Sequence, residues 1–335
     1  MTAHRIRTNT FRPATARPER TGERAEVRAL SADAALLQGR KTAKGDARIH
    51  SVFERVLNIE AGDDRLVTLA HRASDDAPDT VVVDLDSWAA QGCVSGTEVR
   101  LTAGRILVGD GLVIALECAR PWRGRLPAYP RDDSTLRANL PLAHNHLRCH
   151  GEGAGCSRSG GTVPSALDEA VFQAVRGYAQ GLYEALAGDD EPLALEHASR
   201  LVGLGPGLTP AGDDFLVGLL TALNIPDSPR HAWRRIGARV VECAQRQTHL
   251  ISAATLRHAA TGRARASVID LCSALMHESS TTMLGALTRV ISIGSSSGTD
   301  IAVGVLTAFR LHLGPEEARQ ARPVQHQPPG DVHGS

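Results

Sequence analysis

Asp213, Asp214 and Asp300 stand where two stretches of small residues give way to apolar helical periodicity, a setting that suits anion chemistry. The first stretch is Gly203-Leu-Gly-Pro-Gly-Leu-Thr-Pro-Ala-Gly-Asp-Asp-Phe215 and the second is Ser295-Ser-Ser-Gly-Thr-Asp300. Gly205, Gly207 and Gly212 bare the backbone N–H groups of a loop that feeds a helix start, where the macrodipole is positive and a phosphate or carboxylate is welcome. Thr209 adds a hydroxyl there, and Ser296, Ser297, Gly298 and Thr299 offer hydroxyls and amides in the second stretch. Neither stretch has the lysine and spacing of a P-loop, and neither is a dinucleotide fingerprint.

The two helix starts are copies of one another. Gly212-Asp-Asp-Phe-Leu-Val-Gly-Leu-Leu-Thr-Ala222 aligns without gaps on Gly298-Thr-Asp-Ile-Ala-Val-Gly-Val-Leu-Thr-Ala308, at a constant offset of 86 residues. Asp214 and Asp300 occupy the same first-turn position, where a carboxylate complements the dipole and can face a ligand. Gly218 and Gly304 recur mid-helix, where glycine costs about 1 kcal/mol relative to alanine. Close approach of the two helices would offset that cost and bring Asp214, Asp300 and their loops together.

Other residue sets carry weaker chemistry. Asp213, Asp214 and Asp300, with Thr209 and Thr299, could ligate Mg²⁺ through oxygen and support a Mg²⁺-dependent hydrolase, while simple capping explains the same acids. Thr248 and Ser252 share a helix face in Thr248-His-Leu-Ile-Ser-Ala-Ala-Thr-Leu-Arg-His258, with Thr248 as an N-cap. His144, His146, Cys149, His150 and Cys156 cluster in the sequence, but their spacing matches no standard zinc motif. No nucleophile elbow or cysteine-protease signature is present, so covalent catalysis has no support.

The elements that must position these residues follow from composition and period. The 335 residues suffice for one large domain or two ordinary ones. Lys+Arg and Asp+Glu balance at 37 each and aromatics make up only 3%, which argues against nucleic acid and anionic membranes as partners. No run is long and apolar enough to span a bilayer, and six scattered cysteines fit a reducing compartment, so a cytoplasmic protein is expected. Residues 1–25 and 314–335 read as a disordered arm and tail. Between them, residues 26–125 form short β-branched runs separated by turns, an antiparallel β-rich, barrel-like domain. Residues 126–161, rich in Pro, Gly, His and Arg, read as a loop or linker, and 162–313 as a helical bundle carrying the pseudo-repeat. The fold class is therefore α+β.

Leu204-Gly-Pro-Gly-Leu-Thr-Pro-Ala-Gly-Asp-Asp-Phe-Leu-Val-Gly218, with Ile293-Gly-Ser-Ser-Ser-Gly-Thr-Asp300, resembles the AllH family. The similarity extends over roughly residues 28–312 and includes Arg48-Ile-His-Ser-Val-Phe53, Trp122 and Thr248-His-Leu-Ile-Ser252. It implies a subunit of an oxamate carbamoyltransferase in allantoin and purine catabolism. Such a subunit works in a hetero-oligomer with FdrA-like (AllF-type) and AllG-like partners and handles phosphate, carbamoyl phosphate, oxamate and oxalurate. No cofactor is implied beyond the Mg²⁺ considered above. Under that resemblance Gly205, Gly207, Thr209 and residues 296–299 bind the anion, while Asp214 and Asp300 orient a donor or a cation. A non-catalytic subunit that binds a metabolite for assembly is the remaining alternative.

Overall fold

The structure is a computed structural model and describes residues 25–39, 47–62, 65–102, 104–151 and 166–314. Apart from Ala25 and Gly314, the expected arm and tail lie outside these residues, as does Cys156. The α+β division holds: among the described residues nine strands come first and the large helices follow.

The strands are β1 (Ala25–Asp33), β2 (Ala47–Val52), β3 (Val56–Ala61), β4 (Leu66–Ala70), β5 (Thr80–Val83), β6 (Glu98–Leu101), β7 (Arg105–Val108), β8 (Leu112–Ala115) and β9 (Arg120–Trp122), with a short α1 (Ala34–Gly39) after β1. Eight of them run in the order β5-β4-β3-β2-β6-β7-β8-β1, and β1 pairs back to β5, closing a barrel; β9 adds to β1 outside the ring. Alternation builds the interior: Val99 is buried between exposed Glu98 and Arg100, and Ile106 follows exposed Arg105. Leu57, Ile59, Leu69, Val81, Ile106, Ile114 and Trp88 are fully buried. The expectation of an antiparallel domain needs one correction, because β1–β8, β1–β9 and β4–β5 pair parallel. The reason for the last is the segment 71–79, which is long enough to carry the chain back to the starting end of β4 before β5 begins.

A second correction concerns the linker. Residues 134–150, expected as loop, form helix α2 (Ser134–His150). Its Leu136, Leu140, Ala143 and Leu147 repeat every three or four residues and are buried. Asn139, also buried, donates to the carbonyls of Ala274, Leu275 and Glu278 at 3.0–3.3 Å. Pro141 and the polar His/Asn/Arg content mask this helix in the sequence.

The remaining helices are α3 (Ala166–Ala187), α4 (Glu191–Leu201), α5 (Ala211–Leu223), α6 (Ile236–Gln247), α7 (Leu250–Ala259), α8 (Ala266–His277), α9 (Ser280–Ile291) and α10 (Ser297–Leu313). All thirteen residues of α5 are buried, which makes it the central helix, and α10 is its main neighbour. Among the described residues no helix is long and apolar enough to cross a membrane.

The barrel docks on the helices through charge. Arg263 pairs with Asp33, which also accepts the Asp79 N–H at 2.7 Å. Asp75 accepts from the Ser267 N–H at the start of α8, and Asp79 faces His258 at 3.4 Å. Burial would raise the Asp79 pKa, but hydrogen bonds from His258 and Arg65 outweigh it and hold the carboxyl well below its usual range. Asp33 is 4% exposed and Arg263 35%, so Arg263→Ala strands a buried carboxylate with a partly hydrated partner removed. The expected cost is about 2 kcal/mol, below that of a fully buried pair, read from urea unfolding. A change under about 0.5 kcal/mol would show that this pair does not couple the two parts.

Candidate functional site

The site grows out of how α5 and α10 approach. A Cβ added at Gly218 would lie 2.0 Å from the Ile301 carbonyl oxygen, and one at Gly304 would lie 2.0 Å from that of Phe215. The two helices therefore touch backbone to backbone, each through its repeat glycine. They run parallel: Thr209 and Ser297, just before or at their starts, hydrogen-bond at 2.9 Å, and His312 near the end of α10 reaches the Ala222 carbonyl oxygen at 3.1 Å. Two positive helix ends thus converge on one spot.

Each copy is fixed by the helix before it. Gly212 presses on the Leu201 carbonyl oxygen at the end of α4, and Gly298 on that of Val290 near the end of α9, where an added Cβ would sit at 2.1 and 1.9 Å. Their amides are used internally: Gly212 donates to Leu204 at 2.9 Å, Gly298 to Ile293 at 3.0 Å and Thr299 to Ser296 at 2.9 Å. Gly212 and Gly298 are therefore packing residues, and the sequence expectation that their amides face a ligand is corrected. Thr299 is fully buried beneath the loop. Gly205 and Gly207 have φ of +134° and +88°, which only glycine adopts easily, and among the described residues their N–H groups make no hydrogen bond. Thr209 is exposed, and Ser296 and Ser297 are half-buried.

Beneath these hydroxyls lie the two equivalent acids. Asp214 and Asp300 are 6% and 4% exposed, and one oxygen of each, Oδ2, is buried without a hydrogen-bond partner. Burial, together with the charges of Asp300 and Asp213, raises the Asp214 pKa to about 8 against the opposing hydroxyls of Ser297 and Thr209. Burial alone raises that of Asp300 to about 7. Both acids are thus poised to hold a proton near neutrality, in which state each is a hydrogen-bond donor with an unmet need.

Asp213, adjacent in sequence, faces elsewhere. It accepts the Gly203 N–H at 2.8 Å on one oxygen and the Thr248 hydroxyl on the other, and Ser252 adds a further hydrogen bond. Thr248 thus ties α6–α7 to the loop instead of capping α7, where His249 is the N-cap. The Mg²⁺ set of Asp213, Asp214 and Asp300 loses one member for this reason. Among the described residues no three His, Cys, Asp or Glu side chains gather as for a metal ion. His146 meets Thr288 at 3.1 Å and stacks near His150, Cys149 is exposed, and His144 bonds the Leu140 carbonyl, so these residues decorate a helix.

The family model described as oxamate carbamoyltransferase subunit AllH matches residues 201–309, from the end of α4 through most of α10. The model described as the AllH family N-terminal domain matches residues 28–121, the barrel. No solved structure matches the chain.

Proposed function

Because the chain belongs to the AllH family, we propose that it is the subunit of an oxamate-type carbamoyltransferase that holds the anionic reactants at its two convergent helix starts. The observation that carries this reading is the pair of buried, partnerless carboxyl oxygens of Asp214 and Asp300 under the Thr209–Ser297 hydroxyl pair. In the proposed reaction, an oxygen of hydrogen phosphate attacks the ureido carbon of oxalurate. A C–O bond forms, the C–N bond breaks, and carbamoyl phosphate and oxamate leave. The proton lost by phosphate must reach the departing nitrogen. Two carboxyls poised near pH 7–8 are suited to pass it. Thr209, Ser296 and Ser297, with the amides of Gly205 and Gly207, hold the anion, and the parallel helix dipoles favour its charge.

FdrA-like and AllG-like subunits are the expected partners, and the test is reconstitution with them. Thr209→Val combined with Ser297→Ala should raise KM for phosphate about tenfold or more, the worth of one or two hydrogen bonds to a charged group, without unfolding the chain. Unchanged oxalurate phosphorolysis by that variant, or by the partners in the absence of this chain, would overturn the reading.

A further inference from the structure

A second concave feature lies away from the paired loops. Helices α2, α3 and α10 enclose a groove of about 760 Å³, within the size range of small-molecule sites. Arg148, Arg176, Arg310 and His144 line it, and among the described residues no Asp or Glu does. This departs from the chain as a whole, whose net charge is zero and which pairs arginines with carboxylates in both parts of the fold, as in Arg28–Asp84, Arg235–Glu191 and Arg265–Asp75. Among the described residues neither Arg176 nor Arg310 has an ion-pair partner; each lies against an aromatic ring instead, Phe172 and Tyr183 respectively.

Two details show that the groove is built. The Arg310 guanidinium is set 4.0 Å over the ring of Tyr183, which fixes its plane, while its Nε is buried with no hydrogen-bond partner. Gly177 sits in the interior of α3 on the groove wall, and an added Cβ there would meet nothing within 4 Å. No close helix contact requires that glycine, a poor helix former, and it leaves open space in the groove.

We propose that this groove is a binding site for a small polyanion bearing two or more phosphoryl or carboxylate groups. Guanidinium forks match both groups in geometry, and several of them converge here. The volume exceeds what a single oxamate or carbamoyl phosphate would fill. Arg310 is ten residues from Asp300 on α10, about 15 Å along the axis, so the groove's basic end is separate from the acid pair.

The test is isothermal titration of the full-length chain with tripolyphosphate, ATP and citrate at fixed ionic strength. At least one should bind. That binding should weaken at least tenfold in Arg176→Gln and in Arg310→Gln, vanish in Gly177→Trp, and persist in Asp214→Asn. Binding by tripolyphosphate and ATP alone identifies a phosphoryl ligand, and binding by citrate alone a carboxylate one. Gly177→Trp fills open space, so its circular dichroism and melting temperature should match the wild type. Absence of binding by all three ligands overturns the proposal. So does binding that the groove variants leave intact, or a loss in Asp214→Asn equal to that in Arg310→Gln. If the groove variants retain ligand binding but no longer assemble with partner subunits, the groove is a protein interface and the proposal fails.

Discussion

Gly304→Ala is expected to cost the protein its folded state, although alanine is the better helix former by about 1 kcal/mol. The added methyl would stand 2.0 Å from the Phe215 carbonyl oxygen and 2.7 Å from the Leu219 amide nitrogen. Both are backbone atoms of α5, a helix buried along its whole length, so no side-chain rotation relieves the clash. Separating α5 from α10 would also part the Thr209–Ser297 contact at one end and the His312–Ala222 contact at the other. Destabilisation above about 4 kcal/mol follows, seen as loss of soluble protein or of a cooperative urea transition. Gly218→Ala should behave alike, since its methyl would meet the Ile301 carbonyl oxygen at 2.0 Å. Gly285 supplies the control: it is exposed in α9 with nothing within 4 Å, and Gly285→Ala should stabilise by up to about 1 kcal/mol. If all three variants were stabilised alike, the close crossing would be refuted.

The second large effect separates stability from turnover at the acid pair. Asp214→Asn and Asp300→Asn keep the shape of a protonated carboxyl but cannot pass a proton. Each should lower kcat of the assembled enzyme by about 10²-fold or more, the usual range for a lost general acid or base. Stability should move the other way. The folded pKa values, about 8 and about 7, lie above the ordinary aspartate value of 3.8, so between those limits the native state binds more protons than the unfolded chain. These two groups therefore add stability as pH falls through 8 and 7, and remove it as pH rises. The gain from pH 8 to pH 6.5 should be on the order of 2 kcal/mol, and it should shrink in either Asn variant. His312 opposes this at lower pH. Burial lowers its pKa to about 4 from 6.5, so its contribution is intact above 6.5 and is lost as pH falls towards 4. Melting temperatures across pH 5–8.5 would show the slope. A profile unchanged by Asp214→Asn would mean that this carboxyl is not the buried, proton-holding group described here.

What the sequence revealed and what it concealed have physical causes. The repeat was legible because close packing and a shared helix start demand the same residue types at Gly212 and Gly298, Asp214 and Asp300, and Gly218 and Gly304. Helix α2 was hidden because Pro141 and a run of His, Asn and Arg break the appearance of periodicity, while its buried stripe of Leu136, Leu140, Ala143 and Leu147 persists. The parallel β4–β5 pairing depends on where segment 71–79 carries the chain, which alternation of apolar residues does not encode. Long-range partnerships were likewise invisible. Asp213 finds Thr248 across 35 residues, and Asp33 finds Arg263 across 230. The arginines of the groove come from three helices, and only the fold assembles them.

The central claim is that Asp214 and Asp300 serve one anion at the joined helix starts. Oxamate, whose carboxylate does not titrate near neutrality, should be bound to the assembled complex at pH 8 by calorimetry in two buffers of different ionisation enthalpy. Placing a negative charge beside the acids favours their protonated forms, so binding should draw up to about one proton from the buffer. That uptake should disappear in the variant carrying both Asp214→Asn and Asp300→Asn. Oxamate binding with no proton uptake, or with uptake that survives in the double variant, would contradict the claim.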